Sequence, residues 1–279
     1  MAAPMLRPLS AGELLDMSFG LFRRMFGTLV LIQLMCMTLP FLLNVYFTGA
    51  GEPNPLVVLL VTLVGLILSA LASAATAVAI SGGYLGAPVN ASEALQRAAP
   101  RLGVLLVVSL SIGLLVVLAS LPFIFLMAGS VIGMTRPDAG GFVVFQVLIG
   151  IASLALPLFV VSGVAVATPI VVLEDGRNAT AAIGRSWFLT KGYRLRVTGL
   201  LFVCLILILI PYAGLLTGGA ALASNTGTPL TIWIAAVALA ARLLLTPLLY
   251  CLITLLYYDL RVRKEGFDLE MLAASLQPA

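Results

Sequence analysis

Six long apolar runs alternate with short polar segments along this chain. Each run reaches the roughly 20 residues that a helix needs to cross a bilayer, and none alternates like a membrane β-strand. The pattern therefore predicts an all-α integral membrane protein with six transmembrane helices. The predicted spans are residues 27–48, 56–80, 102–134, 142–173, 197–222 and 229–258.

The polar segments before the first, third and fifth runs carry charges on one face and bulky apolar residues on the other, as interfacial helices do. They begin near Ser10, Asn90 and Asn178, each expected to cap a helix. Residues 90–97 and 178–185 share Asn, Ala, a hydroxyl, Ala, an aliphatic residue and Arg at matching places. We therefore predict a single polytopic domain of three repeated units, each an amphipathic interfacial helix plus a helical hairpin. The units cover about 10–80, 90–173 and 178–258, and 259–279 forms a tail.

Helix bends and close helix packing are also predicted from the sequence. A proline followed by an aromatic residue stands in the first span of every unit, at Pro40, Pro122 and Pro211. Proline removes a backbone donor, so these positions predict a shared bend, with a gating hinge as the alternative. Small residues in 69–77 and the pairs Gly129/Gly133 and Gly214/Gly218 predict close internal packing, with contacts between subunits as the alternative.

Composition and charge add an orientation. The chain is 62% hydrophobic and only 9% charged, with a mean hydropathy of +1.18. Of its 15 basic residues, all but Arg136 and Arg242 lie on the side of the termini, which places the termini and the loops 81–101 and 174–196 in the cytoplasm. The net charge of +4 is thus a membrane-orientation signal, and we predict no nucleic-acid partner.

The sequence offers little for catalysis. It has no histidine and no phosphate-binding, dinucleotide, nucleophile-elbow or cysteine-rich metal motif, so we predict a protein that is not an enzyme and holds no cofactor or metal. Glu174, Asp175 and Asp259 fall at the terminus-side ends of spans. They predict a salt-bridge belt with Arg177, Arg185, Arg261 and Arg263, with a paired-carboxylate metal or acid–base site as the alternative.

Cations and aromatic residues near the cytoplasmic interface are the candidate lipid or partner contacts. Arg242 is added to them as the one ionisable residue deep within a span; it predicts either anion or lipid-phosphate binding or a side chain that snorkels. The other polar residues noted in spans, Gln33, Asn44 and Gln146, are too few to trace a water-lined path. The candidate contacts are Arg23, Arg24, Arg97, Arg101, Arg185, Trp187, Lys191, Arg194, Arg196, Arg242, Arg261 and Arg263.

Three stretches carry a family resemblance: residues 6–16 with 21–24, residues 182–192, and residues 254–270. Together they resemble the bacterial glycerophosphoryl diester phosphodiesterase membrane-domain family, over nearly the whole chain. Some members of that family add a phosphodiesterase barrel with catalytic histidines, which this chain lacks. The resemblance covers the membrane region only and implies a six-span protein of the bacterial inner membrane, so the family label is not taken as an activity.

Two functions of different classes are therefore expected. The first is a non-enzymatic membrane scaffold or accessory subunit that binds lipids and other integral membrane proteins, or forms a homo-oligomer. The alternative is a transporter or lipid-handling protein that uses Arg242 and the proline-bent helices. A membrane-embedded hydrolase would need Glu174, Asp175 or Asp259 beside a metal ion.

Overall fold

A computed structural model of the chain describes residues 7–49, 54–133, 140–174, 176, 178–226, 230–267 and 269. Regular structure within those residues is entirely helical, with no strand. The elements are α1 (Ala11–Gly49), α2 (Pro55–Tyr84), α3 (Ala91–Ala98), a 3₁₀ turn (Ala99–Arg101), α4 (Leu102–Gly133), α5 (Gly140–Ser153), α6 (Ala155–Val164), α7 (Ala167–Leu173), α8 (Ala179–Thr190), α9 (Arg194–Thr226) and α10 (Leu230–Glu265).

Six helical stretches are long and apolar enough to cross a membrane, which confirms the six predicted spans. Only 11% to 28% of the most apolar window of each stretch is buried inside the protein. Large exposed apolar surfaces of this kind mark contact with a membrane or with another protein. The stretches are Ala11–Phe47, Pro55–Tyr84, Ala91–Gly129, Val144–Leu173, Arg194–Ala221 and Ala236–Glu265.

The beginning of α1 and the end of α10 meet at one end of the bundle, which we call the terminus side; the opposite end is the loop side. The backbone N–H of Leu9 donates to Asp259 Oδ1 at 2.8 Å. The hydroxyls of Ser81 and Tyr258 are 2.6 Å apart, so the end of α2 lies at the same level as Asp259.

Helix α1 lies across the terminus side before it enters the bundle. Met25 lies against Gly83 near the terminus-side end of α2, although a straight helix would already have carried it about 21 Å from the start of α1. Pro40 faces Gly65 much further along α2. Residues 11–25 therefore run across the terminus-side ends of the other spans, and α1 bends before it continues into the bundle. The predicted interfacial helix and first span are thus one continuous helix rather than two, because helical structure persists through the bend.

The link between polar helix and span differs in the other two units. In the second, α3 runs through the 3₁₀ turn Ala99–Arg101 directly into α4. In the third, a turn with Gly192 at φ +90° separates α8 from α9. The Asn178 side chain caps α8 by accepting from the Ala181 N–H at 3.2 Å, as predicted. Asn90 is the N-cap residue of α3, as predicted, but its side chain makes no capping hydrogen bond.

The fourth span is broken into three helices, and proline explains the breaks. Pro157 and Pro169 each lie in the first turn of a new helix, α6 and α7, where a backbone N–H has no intrahelical partner to lose. The predicted span 142–173 is therefore interrupted twice. In contrast, Pro40, Pro122 and Pro211 lie inside continuous helices.

The three hairpins close into a ring. Helix α1 packs most extensively against α10 and α2, while α2 contacts α4 and α6 contacts α9. Helices α2, α7 and α10 also contact one another in the interior. Small residues let α2 occupy this position, because short side chains allow backbones to approach closely. Those buried on α2 are Ala70, Ala72, Ser73, Ala74, Ala75, Thr76, Ala77 and Ala79.

The predicted glycine packing holds on α4 but not on α9. A Cβ on Gly129 would stand 2.7 Å from Nε2 at the end of the Gln146 side chain of α5, so Gly129 leaves room for that side chain. On α9, a Cβ on Gly214 or Gly218 would meet nothing within 4 Å. The α9 glycines therefore make no close contact inside the described chain.

Candidate functional site

Two ionic clusters lie on the terminus side, and the first is centred on Asp259. Its fully buried carboxylate accepts hydrogen bonds from Leu9 N–H at 2.8 Å, Arg263 Nε at 3.0 Å and the Arg196 guanidinium at 3.1 Å. Both arginines also donate to the Leu9 carbonyl. A buried charge is costly unless it is paired and hydrogen-bonded in this way. These four residues, the Asp259 cluster, link the chain before α1 to the start of α9 and the end of α10.

The second cluster is centred on Arg185 of α8. Its guanidinium donates to Glu174 Oε1 at 3.3 Å and to Glu265 Oε2 at 2.8 Å. Arg261 donates to Glu265 at 3.2 Å, and the Tyr257 hydroxyl donates to Glu174 at 3.1 Å. Burial acts to lower the pKa of Arg185, but the bonds to Glu265 and Glu174 outweigh it and raise that pKa above its usual value. These five residues, the Arg185 cluster, join the end of α7 to α8 and α10.

Two further cations donate hydrogen bonds to carbonyls at the C-terminal ends of helices. The last carbonyls of a helix lack intrahelical donors, and a basic side chain can supply them. Arg101 donates to the carbonyls of Val171, Val172 and Glu174 at 2.6, 3.1 and 2.9 Å and so caps α7. Lys264 donates to the Phe188 carbonyl at 2.8 Å near the end of α8.

Trp187 packs against the end of α6, beside the break between α6 and α7. A Cβ on Gly163 would stand 2.8 Å from the Trp187 ring, and the neighbouring Ser186 hydroxyl donates to the Gly163 carbonyl at 2.7 Å. The Arg194 guanidinium lies 3.9 Å from the centre of the Phe159 ring and 4.2 Å from that of Trp187. Two such cation–π contacts hold α8, α9 and α6 together.

These contacts decide where the predicted lipid or partner residues lie. The salt-bridge belt is confirmed in both clusters. Seven of the predicted contact residues bind within the chain: Arg101, Arg185, Trp187, Arg194, Arg196, Arg261 and Arg263. Four are exposed on or near the terminus side: Arg23, Arg24, Lys191 and Arg97, the last paired with Glu93.

Some predicted chemistry lies outside the described residues. Asp175 and Arg177, proposed for the salt-bridge belt or a carboxylate site, belong to this group, as do Arg136 and the tail beyond Leu269. Within the described part of the chain, no group of three His, Cys, Asp or Glu side chains is placed to hold a metal ion.

An open cleft with an apolar wall and several polar side chains lies between α1, α2 and α10 in the membrane-spanning region. Its larger part has a volume of about 470 Å³ and is lined by residues that include Asn44, Thr62, Ser69 and Arg242. A second part, of about 180 Å³, shares Ser69 and Arg242 and continues inward. We call the two parts together the Arg242 cleft. The inner part is lined by Gln33, Met37, Ser69, Ala72, Ser73, Arg242, Thr246 and Tyr250.

Arg242 is the cation of this cleft. Its side chain is exposed, and its guanidinium contacts Met37 Sδ at 3.1 Å. No carboxylate among the described residues forms an ion pair with it. At the inner end of the cleft, Gln33 Nε2 donates to Thr76 Oγ1 at a long 3.4 Å. The cleft therefore presents one positive charge among neutral polar groups.

Sequence reasoning singled out Arg242, Gln33 and Asn44 but missed the hydroxyls beside them. Thr246 and Tyr250 of α10 lie beside Ser69 and Ser73 of α2 only because the two helices contact each other. Ser69 and Ser73 were noted only as small packing residues. A helical wheel of each span shows which side of the helix carries these hydroxyls, but it does not show which helices face each other.

The helices, ionic clusters and cleft together define an all-helical, multi-pass membrane protein. No protein-family model matches the sequence, and neither a curated protein nor a solved structure gives a match. Its function is therefore inferred from the arrangement of its residues.

Proposed function

We propose that this chain is a non-enzymatic scaffold or accessory subunit of a bacterial inner membrane that binds lipids and neighbouring membrane proteins. The observation that carries the proposal is the coupling of its terminus side by the Asp259 and Arg185 clusters. These clusters make one connected platform from segments far apart in sequence. Glu174, Asp259 and Glu265 serve there as ion-pair partners, which favours structure over catalysis as their role.

The platform is proposed to face the cytoplasm, with both termini on that side. The support is the charge distribution: the basic residues of both clusters and the exposed Arg23, Arg24 and Lys191 all lie at this end. Cytoplasmic segments of membrane proteins carry such an excess of Lys and Arg. Nucleic acid is not a proposed partner, because these cations lie at the boundary of apolar spans.

A threefold repeat is proposed for the whole chain. Its support is the ring of three hairpins and the matching places of α3 and α8 before α4 and α9. In this arrangement the second span of each unit contributes a helix to the interior: α2, α10 and, from the second unit, its last segment α7. Units that share one orientation suit a rigid assembly, whereas inverted repeats are usual in secondary transporters.

Membership of the glycerophosphoryl diester phosphodiesterase membrane-domain family is likewise a proposal. The three stretches that carry the resemblance meet on the terminus side, although the first and last are more than 200 residues apart. The Leu9 N–H donates a hydrogen bond to Asp259, Arg185 donates one to Glu265, and Lys264 donates one to the Phe188 carbonyl. The shared residues thus build one structural feature, the platform.

Two exposed cations of the platform, Arg23 and Arg24, are its proposed contact with a partner. Arg23 and Arg24 lie in the part of α1 that crosses the span ends. Phe26, one turn from Phe22 and 43% exposed, adds an aromatic surface beside them. Arginine and aromatic residues are enriched in protein interfaces, and they also bind lipid headgroups at this depth.

Copurification tests this proposal. The tagged chain, extracted from native membranes in mild detergent, should carry one protein partner in a reproducible ratio. The Arg23→Gln/Arg24→Gln variant should lose most of it, whereas the matched control Arg97→Gln, on α3, should retain it. Recovery of the chain with lipid alone, or equal partner recovery in all three proteins, would contradict a partner site on α1.

The Arg242 cleft favours a second candidate function, a transporter or lipid-handling protein. A membrane-embedded arginine is expensive and usually faces a cavity or a partner. The cleft supplies such a cavity, and its occupant can be argued further.

A further inference from the structure

The charge inside the Arg242 cleft selects an anionic occupant. The cleft contains one guanidinium, amide and hydroxyl groups, and no carboxylate among its lining residues. A guanidinium within a membrane needs an anion or water, because burying its charge costs several kcal/mol. Met37 sulfur, a weak acceptor, leaves most of the five N–H donors of Arg242 available for a ligand. Phosphate suits such a planar donor group well, because it accepts two parallel hydrogen bonds.

The depth of Arg242 indicates where the occupant comes from. Arg242 is seventeen residues from Asp259 along α10, or about 26 Å at the helical rise of about 1.5 Å per residue. The hydrocarbon core of a bilayer is about 30 Å thick. With Asp259 on the terminus side, Arg242 lies in the leaflet of the loop side. Asn44 and Thr62, which are exposed, lie nearer still to the loop-side ends of α1 and α2.

The rest of the lining suits a molecule with an apolar part. Pro40, Phe41, Val61, Leu66 and Leu239 form much of the wall around the larger cavity. A volume of about 470 Å³ falls within the range of ligand sites. A soluble anion would leave this apolar wall uncovered, whereas an acyl or alkyl chain would cover it.

We propose that the Arg242 cleft binds an anionic phospholipid from the loop-side leaflet, with the lipid phosphate on Arg242 and a chain against the apolar wall. Asn44 and Thr62 are at the rim, where they meet the polar groups of the lipid. This site is independent of the terminus-side platform, because it is built from the other ends of α1, α2 and α10.

Lipid titration followed by native mass spectrometry tests the site. The purified, delipidated chain is titrated with dioleoylphosphatidylglycerol or dioleoylphosphatidylcholine. The anionic lipid should bind more tightly to the unmodified protein. Arg242→Leu should lower its affinity about tenfold, the effect of losing one charge-assisted contact, and Arg242→Lys should restore part of it. Water-soluble glycerol phosphate should not compete, because it cannot cover the apolar wall.

Two further variants make the result decisive. Arg7→Gln removes an exposed cation on the terminus side, one that pairs with Glu13 and belongs to neither proposed contact, and should leave the lipid affinity unchanged. Ala238→Phe fills the cleft while keeping Arg242, and should lower the affinity like Arg242→Leu. If Arg242→Leu does not give a single peak in size-exclusion chromatography, Ala238→Phe tests the lipid site in its place. The protein partner of the platform should remain bound to Ala238→Phe, which separates failure of this site from failure of the scaffold.

Three outcomes would overturn the lipid site. Equal binding of the anionic lipid to the unmodified protein, Arg242→Leu and Ala238→Phe would show that the cleft does not select it. Competition by glycerol phosphate would assign the cleft to a free anion. A change in oligomeric mass in Ala238→Phe, with lipid affinity unchanged, would mean that a second copy of the chain occupies the cleft.

Discussion

Asp259→Asn should destabilise the whole bundle, because one buried carboxylate joins three segments of the chain. Asp259 accepts three hydrogen bonds, two of them from guanidinium groups. Asparagine keeps the shape and one acceptor oxygen, but it removes the negative charge between two arginines. A hydrogen bond to a charged group contributes about 1.5–3 kcal/mol, so losing one of them should lower the free energy of unfolding by about that amount.

The Asp259→Ala variant should cost more. It leaves the Arg196 and Arg263 guanidinium groups with no carboxylate, and breaking a buried ion pair costs about 3–5 kcal/mol. Both arginines keep the Leu9 carbonyl as an acceptor, which limits the loss to the lower part of that range. A double-mutant cycle of Asp259→Asn with Arg263→Gln should show a coupling of about 1–3 kcal/mol, since the residues are in direct contact.

Unfolding in mixed micelles by titration with sodium dodecyl sulfate measures these changes. Glu93→Gln is the matched control, since it removes a carboxylate from an exposed i,i+4 pair with Arg97. Such a pair contributes only about 0.3–0.5 kcal/mol. If Asp259→Asn loses no more stability than Glu93→Gln, the Asp259 cluster does not hold the terminus side together.

Two smaller predictions are measured by the same titration. Gly82→Ala should lower the free energy of unfolding by about 1–3 kcal/mol, because its Cβ would stand 2.6 Å from the Ala87 carbonyl oxygen. Gly214→Ala, with open space around it, should not destabilise α9. Equal effects of the two substitutions would contradict the close approach at Gly82. Ser186→Ala should cost about 1–3 kcal/mol in the free energy of unfolding, because it leaves the Gly163 carbonyl with the longer 3.5 Å contact from the Thr190 hydroxyl; a neutral result would mean that Thr190 replaces Ser186 as its donor.

Local patterns in the sequence predicted the spans and much of the terminus side. Apolar runs of sufficient length define membrane helices whatever their neighbours are. Ser10 caps α1 as predicted, and Glu13 takes part in the cap: Ser10 N–H donates to Glu13 at 2.7 Å and Glu13 N–H donates to Ser10 at 3.2 Å. The ion pairs of Asp259 and Arg185 followed from opposite charges at neighbouring span ends.

The remaining features depend on which helices touch, and that information is not local. The bend of α1 is visible only from the contacts of Met25 and Pro40 with α2. The Arg242 cleft needs three helices from the two ends of the chain to meet. Gly214 and Gly218 have the spacing of a packing motif, but no described helix lies against them. The spacing of small residues within one helix therefore predicts a surface that could pack closely, and only the tertiary contacts show whether another helix packs there.

The mass of the intact particle released from native membranes tests the scaffold most directly. Native mass spectrometry of membrane vesicles, without prior detergent exchange, preserves weak partners. We predict a particle heavier than the 29.2 kDa chain by a second protein in fixed ratio. A particle of one chain with lipid alone, found in every preparation, would contradict a scaffold or accessory role.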